Sequence, residues 1–216
     1  MPINPLNFAS ELIYTTIVVI LCWFVYYKTK EIYALSKYQG IKYFRTSFLL
    51  FGLAYLTRFV FHIFKISIGN ISFQFNREIF FPSMLVVTAY LSTMAIFYLA
   101  YSTVWKRIKY KHFLIFANLI AIIVAVVSWT SKSPFIIMLV QLPLLIFTLV
   151  AILLKHRKKK KSNARTLYFL ITLFWLVNLY LLGPKWRIVF EMRIILQVLS
   201  LVVFSMLIYK VTKWIK

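Results

Sequence analysis

Lys155-His156-Arg157-Lys158-Lys159-Lys160-Lys161 places six cations and one imidazole in seven consecutive residues, with an apolar run on either side, 134–154 before it and 166–182 after it. A cluster of that charge between two segments of bilayer length resists translocation and marks a cytoplasmic loop. With this loop fixed, every other apolar run takes its direction from it.

Composition leads to the same class. Of 216 residues, 62% are hydrophobic, and the mean hydropathy is +0.85. An ordinary soluble domain has roughly 45–50% apolar residues. A water-soluble fold of this length has no interior large enough for the excess, so lipid serves as part of its solvent. Charge is lopsided: 26 Lys and Arg stand against four acids, Glu11, Glu31, Glu78 and Glu191, and there is no Asp. Cys22 is the single cysteine, which excludes an intrachain disulfide. The start of the chain has no basic segment and no small-residue cleavage pattern after its first apolar run, so that run reads as an uncleaved helix. No Gly/Ser/Pro-rich linker divides the chain, and residues 1–216 read as one membrane domain.

Seven runs approach the roughly 20 residues a helix needs to cross hydrocarbon: 11–27, 44–65, 80–105, 112–129, 134–154, 166–182 and 188–209. Ser10 is placed to cap the first, with Glu11 in its first turn. Pro82 suits the first turn of the third, Pro143 predicts a kink in the fifth, and Gly183-Pro184 closes the sixth. Residues 30–43 are too polar to span, and Ile32, Leu35 and Tyr38 fall near helical spacing, so the first helix is expected to run on until Gly40 caps it. Alternating the loops puts nineteen Lys and Arg on one side and five on the other, with Arg58 and Arg193 inside runs. The expected fold is all-α: a polytopic seven-transmembrane-helix bundle, N-terminus outside and C-terminus cytoplasmic, multi-pass in the cell (plasma) membrane. Trp23, Trp105, Trp129, Trp186 and Trp214 fall at the expected interfaces, and Trp175 falls mid-span.

The block Lys28-Thr29-Lys30-Glu31-Ile32-Tyr33-Ala34-Leu35, followed by Gly40-Ile41-Lys42-Tyr43-Phe44-Arg45 and by Phe48 through Gly52, resembles a stretch of uncharacterised seven-helix membrane proteins of archaea. The resemblance implies the same topology and imports no function. Better-known seven-helix families fit poorly. The last run has no mid-membrane Lys for retinal and no Asn-Pro motif, and the third ends Tyr101-Ser102-Thr103-Val104-Trp105 with no acid–Arg pair.

Ionisable residues at membrane depth are expensive and therefore point to sites. Arg58 and His62 lie four apart on the second run, and Lys65 follows on the same face. Glu191 and Arg193 open the seventh, also in the outer half, and Glu11 and Glu78 fall near the same level. These residues outline an outward-facing polar pocket for a small or anionic ligand, lined by Arg58, His62, Asn178, Glu191 and Arg193, with Gln141 and Gln197 nearby. The competing structural reading is a set of ion pairs, Arg187 with Glu191 and Arg58 with a carboxylate from a neighbouring helix. At the other side, Lys155, Arg157, Lys158, Lys159, Lys160 and Lys161 either serve topology alone or contact anionic lipid head groups or an acidic cytoplasmic protein.

Catalytic chemistry is poorly supplied. Without Asp, paired-aspartate proteolysis and Asp-held Mg²⁺ lose their groups, and His62, His112 and His156 are scattered, with no zinc motif or nucleophile elbow. No nucleic-acid module is visible, and no cofactor, metal site or catalytic residue is expected. The expectation is a non-enzymatic membrane protein of receptor or sensor type, with a small-solute transporter or channel, or a structural subunit of a larger membrane complex, as alternatives.

Overall fold

A computed structural model of the chain describes residues 5–69, 77–155, 163–182 and 190–213. Seven helices account for nearly all of them: α1 (Pro5–Ser36), α2 (Gln39–Gly69), α3 (Arg77–Val104), α4 (Tyr110–Ser131), α5 (Phe135–Lys155), α6 (Asn163–Leu182) and α7 (Phe190–Lys213). Each helix packs on its neighbours in sequence, and α7 returns to α1, so the bundle closes into a ring, with α3 also touching α5.

A single buried stripe explains how each helix is seated. On α1 it runs Glu11, Tyr14, Val18, Cys22, Val25, Thr29; on α4, Phe113, Ala117, Ala121, Val124, Ser128; on α5, Ile137, Gln141, Leu145, Thr148, Ile152; on α7, Arg193, Gln197, Ser200, Phe204, Leu207, Val211. Steps of three and four residues keep one face toward the partner helices along the whole length. The opposite faces are apolar and exposed: on α4, Ile115, Phe116, Leu119, Ile122, Ile123 and Val126 are each more than half exposed. A surface of that kind is stable against lipid and not against water. Hydroxyls within the helices bond to their own backbone, as Thr29 does to the carbonyl of Val25 (2.7 Å) and Thr172 to that of Tyr168 (2.9 Å), which leaves few polar atoms wanting solvent.

Six helices are long and apolar enough to cross a membrane, and the apolar stretch of the seventh, α6, is shorter. Along the described part of α6, Thr166, Phe169, Leu176 and Tyr180 are exposed, while Tyr168, Ile171, Phe174, Trp175, Asn178 and Leu179 face inward.

Several expected boundaries move. The helix begins at Pro5, so Ser10 lies inside α1 and does not cap it. Pro82 stands one turn deeper in α3 than expected, because that helix starts at Arg77. Pro143 lies inside α5 (Phe135–Lys155), on its exposed face. Gly40 is not the cap of α1. Lys37 takes the left-handed conformation there (φ 52°), and Gly40 belongs to the first turn of α2. A β-carbon at Gly40 would come within 3.0 Å of the Ser102 carbonyl and 3.2 Å of Trp105 Nε1, so glycine there permits the close approach of α2 to α3. Gly52 does the same for α1, where a β-carbon would lie 3.1 Å from Cys22 Cβ.

Candidate functional site

The end of the bundle where α1 and α7 begin and α2 finishes holds a buried charged cluster built on Glu11. Its Oε1 lies 3.3 Å from Arg58 Nη2, 3.4 Å from His62 Nε2 and 3.6 Å from Arg193 Nη2. Arg58 donates a hydrogen bond to it. Glu11 is 4% exposed, and Arg58 and Arg193 7% each, so these charges interact with little screening. Phe8 meets the His62 ring edge-on at 5.6 Å, and the Arg58 guanidinium stands 5.2 Å from the centroid of the Tyr55 ring.

One turn deeper, Asn178 organises a second, uncharged layer. Its Oδ1 accepts from Tyr14 (2.6 Å) and from Tyr55, while its Nδ2 donates to the Phe174 carbonyl (2.7 Å) and to Ser200 Oγ (3.1 Å). Tyr14 and Ser200 also bond to each other at 2.8 Å. Beside it, Gln141 Nε2 donates to Ser92 Oγ (2.6 Å) and Thr93 Oγ1 (3.2 Å), tying α5 to α3.

Below these polar layers the bundle is closed by rings. Phe51 packs edge-on against Trp175 (4.7 Å) and Phe174 (5.5 Å), and Phe174 against Phe204 (4.5 Å). Phe48 completes the layer against Trp175 and Phe204. Val18, Ile96, Leu99, Leu145 and Ile171 fill the remaining space and are fully buried. The charged cluster and the Asn178 layer therefore sit on one side of an aromatic plug, and the buried polar groups on its other side, such as Ser102 bonded to Tyr168, are uncharged.

Of the five residues expected to line a pocket, Arg58, His62 and Arg193 meet, and they meet on Glu11. Asn178 belongs to the layer beneath. Glu191 does not take part: it is exposed, because two residues on a helix are about 200° apart, and burying Arg193 turns Glu191 outward. Glu11, which the sequence placed at the right depth but not among the lining residues, is the centre of the cluster. The side chains of Lys65, Glu78 and Lys155, and residues Arg157, Lys158, Lys159, Lys160, Lys161 and Arg187, lie outside the described residues. Among the described residues, no three of His, Cys, Asp and Glu gather as metal ligands would.

No solved structure matches the chain. An uncharacterized protein of Archaeoglobus fulgidus is 31% identical over 218 residues, covering 97% of this chain and 94% of that protein. A family model matches residues 7–181, which include Glu11, Arg58, His62 and Asn178. The chain thus belongs to DUF6962, a family of unknown function.

Proposed function

We propose that this is a non-enzymatic, seven-span membrane protein of receptor or sensor type. It takes a small anion at the end where α1 begins and presents a basic cytoplasmic face to anionic lipid head groups or an acidic partner. The observation that carries the reading is the charge imbalance of the buried cluster: among the described side chains, two arginines and a histidine converge on one carboxylate. Buried charge that lacks a full counter-charge is costly and attracts an anion. The aromatic plug beneath separates that end from the other, which suits a signal carried by helix movement better than a continuous path for solute.

In this reading α6 is the seventh span: its 20 residues reach about 30 Å, the thickness of the hydrocarbon core. The nineteen-to-five distribution of Lys and Arg supports an N-terminus outside and a C-terminus in the cytoplasm, and the reading places the protein in the plasma membrane. The runner-up is a small-solute transporter or channel, favoured by the run of buried polar groups from Glu11 through Asn178 to Gln141.

Two measurements test the proposal. In a Cys22→Ser background, an impermeant maleimide added outside cells should label Ser133→Cys, in the α4–α5 turn, and spare Lys37→Cys, in the α1–α2 turn; the reverse pattern rejects the orientation. In proteoliposomes, small anions should stabilise the protein without crossing the bilayer, and saturable flux rejects the receptor reading in favour of transport.

A further inference from the structure

At the end of the bundle opposite Glu11, the turn between α3 and α4 borders a cleft of about 420 Å³, within the roughly 300–1,000 Å³ of small-molecule sites. Its walls are of two kinds. On one side stand Lys106 and Arg107, both exposed, with Tyr38 of the α1–α2 turn. The turn that carries the cations is ordered: Arg107 N–H donates to the Val104 carbonyl at 2.8 Å, and the Tyr101 hydroxyl donates to the Ile108 carbonyl at 2.9 Å. The Lys106 ammonium lies 5.5 Å from the centroid of the Trp105 ring, which Tyr38 meets edge-on at 5.5 Å. On the other side, α5 contributes Phe147, Val150, Ala151 and Leu154. Steps of three and four residues put these on one face of α5, beside the buried face of Leu145, Thr148 and Ile152, and Phe147, Val150 and Leu154 are exposed. That apolar wall extends about 10 Å along the helix, from the end beside the cations toward the middle of the bundle.

The chain supplies no carboxylate to these cations. Its four acids are Glu11, Glu31, Glu78 and Glu191. Glu31 pairs with Lys28 at 3.2 Å, Glu11 centres the cluster at the opposite end, and Glu78 and Glu191 stand in the first turns of α3 and α7, also at that opposite end. The cleft thus sets two unneutralised cations beside an apolar wall that faces lipid. A soluble anion answers the first and an uncharged lipid the second; an anionic amphiphile answers both. We infer that the cleft is a site for one anionic phospholipid, its phosphate at Lys106 and Arg107 with Tyr38 beside it, and an acyl chain laid along Phe147, Val150 and Leu154. The inference rests on the head-group half of the proposed function and gives it a position and a stoichiometry. Bound there, the lipid joins the α1–α2 turn, the α3–α4 turn and α5, three parts that sequence separates.

The test titrates the full chain in a neutral detergent with phosphatidylglycerol, phosphatidylcholine, glycerol phosphate or a polyglutamate peptide, and counts bound molecules by native mass spectrometry. Wild type should take one phosphatidylglycerol with a saturable midpoint and clear preference over phosphatidylcholine. Lys106→Gln with Arg107→Gln should weaken that midpoint about ten-fold or more, as the loss of two cations near a head group implies. Val150→Trp fills the apolar wall at unchanged charge and should weaken it several-fold. Lys109→Gln with Lys111→Gln removes equal charge outside the cleft and should leave it nearly unchanged. All five residues are exposed, so each variant should unfold thermally as wild type does in lipid-free detergent. If the two charge pairs weaken binding equally, or Val150→Trp binds as wild type does, the cleft is overturned and a diffuse basic face stands. Glycerol phosphate binding as tightly as the lipid overturns the acyl seat and the inference with it. Polyglutamate bound in place of phosphatidylglycerol overturns the lipid site and leaves the acidic-partner reading. Binding of neither overturns the inference and the basic-face half of the proposed function together.

Discussion

The two ends of the bundle handle positive charge in opposite ways. At the end where α1 starts, two arginines are buried on Glu11 with His62 beside them. At the other end, cations stay at the rim and lie over aromatic faces: Arg45 over Tyr26 (5.0 Å) and Tyr33 (5.8 Å), and Lys106 over Trp105 (5.5 Å). The interior there is closed by Tyr43, Tyr98, Tyr101, Tyr110 and Phe113, with Tyr101 stacked on Phe113 at 4.1 Å and Tyr98 and Tyr110 joined through their hydroxyls at 3.0 Å. Many exposed cations need no acid; two buried ones do. This difference is why the proposed site is placed at the end with few charges.

Mutations at the two ends should reflect it. Glu11→Gln should have the largest effect, a loss of about 3–5 kcal/mol of stability in lipid nanodiscs, because it leaves buried guanidinium groups without their carboxylate; thermal unfolding of the variant checks this, and a loss below 1 kcal/mol would mean the cluster is solvated. Asn178→Leu removes the shared partner of Tyr14, Tyr55 and Ser200 and should cost about 1–3 kcal/mol. The smallest effect belongs to the rim. Lys28, paired with Glu31 at 3.2 Å in an exposed position, should tolerate Lys28→Gln within about 0.5 kcal/mol, and a larger loss in the same assay would erase the contrast between the ends.

The helices were legible because apolar periodicity and basic loops survive in one dimension. Their ends were not. The left-handed turn at Lys37 has no glycine to announce it, and Gly40 is there for the sake of Ser102 and Trp105, which lie about sixty residues away in the chain. For the site, membrane depth was readable and helix rotation was only partly used. Arg58 and His62 are identified by depth and by their shared helix face, Arg193 by depth alone. Glu191 shares that depth but faces the other way, which two residues of helical spacing already imply. Glu11 is placed at that level, and the structural alternative of Arg58 paired with a carboxylate from a neighbouring helix is what the Arg58–Glu11 contact shows; sequence did not say which acid it would be. The meeting of Gln141 with Ser92 and Thr93 has no signature in sequence, because it depends on how α3 and α5 turn toward one another.

The inward-facing character of α6 has a consequence for assembly. A segment whose largest side chains, Phe174 and Trp175, are covered by protein, and whose exposed apolar residues among those described are Phe169, Leu176 and Tyr180, gains less from lipid alone than its composition suggests. Its retention during synthesis should depend on α5 and α7, so truncation after residue 182 should leave it slipping back toward the cytoplasm. Glycosylation-site mapping of nascent chains would show α6 lodged only once α7 has emerged.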